Sequence, residues 1–194
     1  LGRQEWLAED LAEDFQRRFR HDARIELLAD VDLAGGAERV TRVRIGAQLI
    51  EPDGRLQEAG ASVAADGTAR QFGRGASPLH PLQAFVREVD YCSGAAIALR
   101  REAFAACGGF DARYAPAYYE DVDLAFAVRA AGGRVLRQPH ARVVHAEGAT
   151  AGRDVRRGVK QYQLRNRAAF ADKWGATLAT RAPAAETIAG ADGR

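Results

Sequence analysis

The densest group of chemistry-bearing residues runs from Tyr114 to His145. It opens with an aromatic loop, Tyr114-Ala115-Pro116-Ala117-Tyr118-Tyr119, followed directly by Glu120-Asp121-Val122-Asp123-Leu124. Three carboxylates in four positions, where a helix is predicted to begin, allow two readings. Acids there complement the helix dipole and cap free N–H groups, each contributing about 0.3–1 kcal/mol. Alternatively, rings that stack on a sugar stand beside a general base. Asp121 and Asp123 are turned about 200° from one another on a helix, so they are not a pair sharing one proton. Glu120 and Asp123 share a face. Only one of the three acids need face a cleft.

Two further features could take part. His145 closes the run Arg142-Val143-Val144-His145, where a histidine is either a hydrogen-bonded structural residue or a ligand; His140 is expected to be exposed. The four histidines show no paired spacing of the kind that binds zinc on a helix. Cys92-Ser93-Gly94-Ala95-Ala96 is a run of small residues that lets backbone come close to another group. Cys92 and Cys107 have no metal-ligand spacing, suggest no disulfide framework and read as core fillers.

The elements that must hold these groups read as follows. Residues 5–20 form an amphipathic helix with Trp6, Leu7, Leu11, Phe15 and Phe19 on one stripe. Residues 24–42 show no clear period. Val43 to Ile50 is a strand, Pro52-Asp53-Gly54 a turn, and Ala61–Ala64 with Asp66-Gly67 a hairpin. Residues 73–84 are an exposed loop. Val86–Tyr91 is a strand, Arg101–Cys107 a short helix capped by Gly108-Gly109, and Glu120–Ala131 a helix ended by Gly132-Gly133. Arg134–Leu136 and Arg142–His145 read as two short strands separated by Pro139, and Asp154–Trp174 as a long helix.

The mixture of strands and helices gives an α/β or α+β class. With 28 basic and 26 acidic residues, overall charge argues for no particular partner, and no nucleic-acid partner is expected. The bases from Arg153 to Arg167 cluster against one acid, Asp154; they form either a solvated helix face or one that meets phosphate groups or an anionic membrane surface. No run approaches the length of a membrane span. The chain has no methionine, even at position 1, and reads as a piece of something longer or a trimmed chain.

Taken in order, Asp90-Tyr91-Cys92-Ser93-Gly94-Ala95, Arg101-Glu102-Ala103-Phe104, Gly108-Gly109-Phe110-Asp111-Ala112-Arg113-Tyr114, and Tyr119-Glu120-Asp121-Val122-Asp123-Leu124 with Arg129 and Gly132 resemble family 2 glycosyltransferases. Bacterial rhamnosyl- and galactofuranosyl-transferase-like members are the nearest in kind. Glu51-Pro52-Asp53-Gly54-Arg55-Leu56-Gln57-Glu58-Ala59-Gly60 fits the same family, and the resemblance runs over residues 43–174. It implies an α/β fold: a partial GT-A (Rossmann-like, nucleotide-diphospho-sugar transferase) arrangement with a mixed sheet and most of the N-terminal nucleotide-binding half missing. Residues 1–42 are then an N-terminal helix and a segment without period, 43–175 the acceptor and catalytic half, and 176–194 a flexible tail.

The family moves a sugar from a nucleotide-sugar donor to an acceptor hydroxyl with inversion, and cell-envelope polysaccharide synthesis is the implied setting. By resemblance Asp121 is the base. Glu120 and Asp123 stand beside it in acceptor or structural roles, Tyr118 and Tyr119 line the acceptor cleft, and Ser93 and Gly94 run under donor sugar and acceptor. His145 matches a histidine that binds a divalent metal, Mn or Mg, together with a DxD motif. Asp30-Val31-Asp32 has that form. Yet the helix at 5–20 looks like the one that follows the DxD in the family, which puts the true motif upstream of Leu1; Asp32 stands as one of two placements. The implied partners are a nucleotide-sugar and a saccharide or lipid-linked acceptor. The implied location is the cytoplasm, with peripheral membrane contact through the basic stretch. The rival reading is a non-catalytic carbohydrate- or partner-binding module derived from such an enzyme.

Overall fold

The computed structural model describes residues 43–146 and 158–184. All belong to one unit of the chain, Val40–Arg194. The helix expected at 5–20, the segment with Asp30 and Asp32, the part of the basic stretch before Gly158 and the tail after residue 184 lie outside the described residues.

The fold is mixed α/β. A central strand, β1 (Val43–Ile50), organises a five-stranded sheet. One edge of β1 is shared by two short antiparallel partners. β6 (Ile97–Leu99) covers Arg44 to Gly46, and β2 (Leu56–Glu58) covers Leu49 and Ile50. Along the other edge runs β7 (Arg134–Val144), parallel to β1, and β5 (Arg87–Glu88) adds antiparallel to β7. A separate hairpin, β3 (Ala61–Val63) and β4 (Ala69–Gln71), turns through Asp66-Gly67, where Asp66 accepts from both the backbone and the hydroxyl of Thr68.

Three helices complete the unit: α1 (Arg101–Ala106), α2 (Glu120–Ala130) and α3 (Tyr162–Leu178). Val122, Leu124, Ala125, Phe126 and Val128 of α2 are all buried, as fits a helix covered on more than one side. Phe126 meets Phe170 and Trp174 of α3 edge-on at 4.9 and 5.5 Å between ring centroids. Such pairs add about 0.5–1.5 kcal/mol each beyond their burial. Among the described residues no helix is long and apolar enough to cross a membrane.

Several expectations change here. The two strands around Pro139 are one strand, β7. Its pairing to β1 breaks after Gly46↔Arg137 and resumes at Gln48↔Arg142, so Ala47 faces the four residues Gln138 to Ala141. Proline has no N–H for the ladder, and a bulge is where a strand tolerates it. Arg142 closes the bulge with Nε on Pro139 O at 3.2 Å and Gln48 Oε1 at 3.3 Å. The strand expected over Val86–Tyr91 shrinks to Arg87–Glu88, because Tyr91 instead bridges to Ala61. The long helix is described from Tyr162, after a 3-10 turn at Gly158–Gln161, and runs on to Leu178.

Candidate functional site

Two tyrosines in left-handed backbone lead into α2: Tyr118 with φ 72° and Tyr119 with φ 74°. This region costs a bulky residue of order 1–3 kcal/mol, so surrounding contacts must hold it. Asn166 of α3 does so. Buried in the core, its Nδ2 donates to the carbonyls of Tyr114, Ala117 and Tyr118 at 2.7, 2.8 and 2.9 Å, and Arg165 donates to Ala115 O.

The three acids at the start of α2 have separate fates. Asp121 is half-buried with both oxygens held by backbone amides: Oδ2 accepts from Gly94 N at 2.8 Å and Oδ1 from Val122 N at 2.8 Å. Gly94 must come close for this. A Cβ added to it would sit 3.2 Å from the Asp121 Cβ, so the group that the small-residue run approaches is Asp121. Asp123 faces inward, where it accepts from Tyr114 Oη, Trp174 Nε1 and Lys173 Nζ at 3.0, 2.7 and 2.8 Å. Of the two roles expected for it, this is the structural one. Glu120 is half-buried, and burial first, then the Asp121 charge, push its carboxyl up to about 7.

The tyrosines part company. Tyr118 is half-buried, with Lys160 Nζ 5.7 Å from its ring centroid. Tyr119, expected in the cleft, is turned into the core: its hydroxyl donates to Gly67 O at 2.9 Å and its ring lies against Phe170. The left-handed backbone at Tyr119 sends the ring inward while it caps α2, its carbonyl accepting from Asp123 N at 2.9 Å.

Ser93 gives its N–H to Glu58 Oε1 at 2.7 Å. Glu58, on β2, is 1% exposed. Its other oxygen accepts from Gln71 at 3.2 Å, and burial pushes its carboxyl up to about 7 against the pull of the Ser93 hydrogen bond. Sequence reasoning did not single out Glu58 or Asn166. Arg44 is also buried, with Nη2 on Cys92 O at 2.7 Å; burial pulls its guanidinium down, and Asp121, Cys92 and Glu58 act against that. The Cys92 thiol is pushed up to about 12 by burial, so it is an inert core residue.

His145 stands just past β7. Its Nδ1 lies 2.7 Å from Gln57 Oε1, while Gln57 Nε2 donates to Glu51 Oε1 at 3.1 Å. Because that Gln57 oxygen is an acceptor, the proton belongs on Nδ1, and Nε2 keeps the lone pair a metal would take. The fit stops there. Among the described residues no group of three or more His, Cys, Asp or Glu side chains could hold a metal ion, so His145 supplies one nitrogen and no centre.

No family model matches the chain. Over 68 residues, 35% of the chain, it is 43% identical to N-acetylglucosaminyl-diphospho-decaprenol L-rhamnosyltransferase of Mycobacterium tuberculosis. Over that stretch the sequence is glycosyltransferase-like. It is also 31% identical over 126 residues, 61% of the chain, to the O-antigen biosynthesis protein RfbC of Myxococcus xanthus. An uncharacterised protein of Sinorhizobium fredii, y4gI, is 32% identical over 115 residues, 57% of the chain. The chain spans between 10% and 22% of the length of these relatives. Among solved structures, GalNAc-T7 with UDP, GalNAc and Mn2+ superposes with a TM-score of 0.45 at 17% identity, over 68% of this chain and 26% of that one.

Proposed function

We propose that the chain is the acceptor-side part of an inverting GT-A glycosyltransferase of family 2, with Asp121 as its general base. The observation that carries this reading is the state of Asp121. It is a half-exposed carboxylate in the first turn of a helix, fixed by two amides, in a chain that is 43% identical over 68 residues to a rhamnosyltransferase. A base needs a set orientation and access to solvent-side substrate, and of the three acids Asp121 alone combines them.

The step balances simply. The acceptor oxygen attacks the anomeric carbon, the bond from that carbon to the nucleotide diphosphate breaks, and the diphosphate leaves with the electron pair. The hydroxyl proton passes to Asp121, and a carboxylate suffices because that proton becomes acidic as the new bond forms. Tyr118 borders the acceptor side. The relatives' names favour a saccharide acceptor, free or carried on a lipid diphosphate, in envelope polysaccharide synthesis. His145 Nε2 would then be one ligand of a divalent metal whose full set is not found among the described residues.

The test is turnover of UDP-, dTDP- and GDP-linked hexoses by this chain joined to the donor-binding part of such an enzyme, and by Asp121→Asn in the same protein. Transfer that falls by about 10²–10⁴-fold in the variant supports the base. Transfer unchanged in Asp121→Asn sinks it.

A further inference from the structure

Two carboxyl groups reach the same turn from different elements. Glu58, on β2, takes the Ser93 N–H at 2.7 Å, and Asp121, on α2, takes the next amide, that of Gly94, at 2.8 Å. The turn closes on itself: Ala96 N donates to Ser93 O at 3.4 Å and Ala95 N to Ser93 Oγ at 3.3 Å. The direction of the Gly94 N–H is set by the torsions of Ser93, and the Ser93 N–H is anchored by Glu58. The two acids differ in setting: Glu58 is 1% exposed, whereas Asp121 reaches solvent. The inner acid has no access to a substrate, but it holds the residue whose neighbour orients the outer one.

We infer that Glu58 is a positioning residue for Asp121, acting through the Ser93–Gly94 turn. The inference rests on the reading of Asp121 as the base only for its catalytic consequence. The groups facing Glu58 are Arg44 from β1, Gln71 from β4, Tyr91 and Cys92 from the approach to the turn, and Asp121 from α2. Burial among them brings Glu58 to about 7, so it changes charge around neutral pH. A carboxylate grips an amide more strongly than a neutral carboxyl does, so the hold on Ser93 tightens as pH rises.

The experiment follows the Gly94 amide by NMR in the full, nitrogen-15-labelled chain. In the wild type its proton shift moves with pH through a step centred near 7. In Glu58→Gln, which keeps an acceptor for Ser93 and loses the charge, the step disappears. In Glu58→Ala, Gly94 hydrogen exchange speeds up by about fivefold or more, the equivalent of one lost hydrogen bond. Turnover of the same nucleotide-hexoses is measured in parallel, in the chain joined to the donor-binding part. In Glu58→Gln it loses its pH inflection near 7 with KM for the donor unchanged. If the amide behaves as described while no nucleotide-hexose is turned over by the wild type, the positioning role stands and the catalytic reading falls. A Gly94 step that persists unchanged in Glu58→Gln comes from another group and overturns the inference, as does a wild type with no step.

Discussion

Gly46 lies so close to Cys92 that a Cβ added to the glycine would sit 2.1 Å from the cysteine Cβ and 2.3 Å from its Sγ. This contact lays the 92–94 turn against the sheet, on the face where Arg44 reaches the Cys92 carbonyl. Gly46→Ala is expected to lower the unfolding free energy by about 2–3 kcal/mol, the cost of overpacking a closed core. Adding Cys92→Gly restores part of the loss, since the next atom, the Cys92 Cα, is 3.6 Å away. Adding Cys92→Ala restores less, because it clears the Sγ contact and leaves the offending Cβ. Urea unfolding of the single and double variants measures all three, and equal rescue by both second substitutions would remove the steric explanation.

The acids of α2 separate by substitution. Asp123→Asn leaves Lys173 without its buried partner and weakens the bonds from Trp174 and Tyr114, so about 2–3 kcal/mol of stability is lost and Trp174 fluorescence changes. Asp121→Asn keeps an oxygen for only one of its two amides, Gly94 or Val122, and loses about 1 kcal/mol, while transfer collapses. Matching stability losses in the two variants would contradict this division.

Asn166 gives the third expectation. Asn166→Ala strips a donor from three carbonyls around the two left-handed tyrosines and costs about 1–3 kcal/mol. Asn166→Asp is worse above about pH 5, since an ionised carboxylate turns only acceptors toward three acceptors. Thermal melts at pH 7 should rank wild type above Ala above Asp.

Stability should also fall with rising pH in a defined window. Glu58 has an ordinary value of 4.5 and stands at about 7 in the folded chain. A folded value raised above the unfolded one means its contribution is whole below 4.5, declines as pH climbs, and is gone once pH passes about 7. The span is roughly 3 kcal/mol as an upper bound. Glu120, also raised to about 7, acts in the same window with the same sign. Urea unfolding at pH 5 and pH 8 should show a smaller drop in Glu58→Gln than in the wild type; identical drops would mean that burial of Glu58 is not the cause.

What could be read beforehand follows physical range. Helix α2 was legible because its acids, apolar run and closing Gly132-Gly133 are all local signals. The turning of Asp121 and Asp123 to different sides followed from helix pitch alone, and the close approach at Gly94 from side-chain size. The inward ring of Tyr119 was not legible, since left-handed backbone at two successive tyrosines has no local signature. Glu58 and Asn166 were missed for a different reason: their partners come from 35 and from 48 to 52 residues away. Pro139 misled because a proline ends a ladder locally, while a bulge secured by Arg142 lets the strand resume.

The parallel partnership of β1 and β7 joins Val43 to Arg134. During synthesis at about 5–20 residues per second, the first strand therefore waits on the order of 5–20 s for its mate to be made. In that interval β2 and β6 can occupy only one of its edges. Among the described residues nothing else covers the other edge, so on the ribosome this unit is most open to mispairing just before β7 is made.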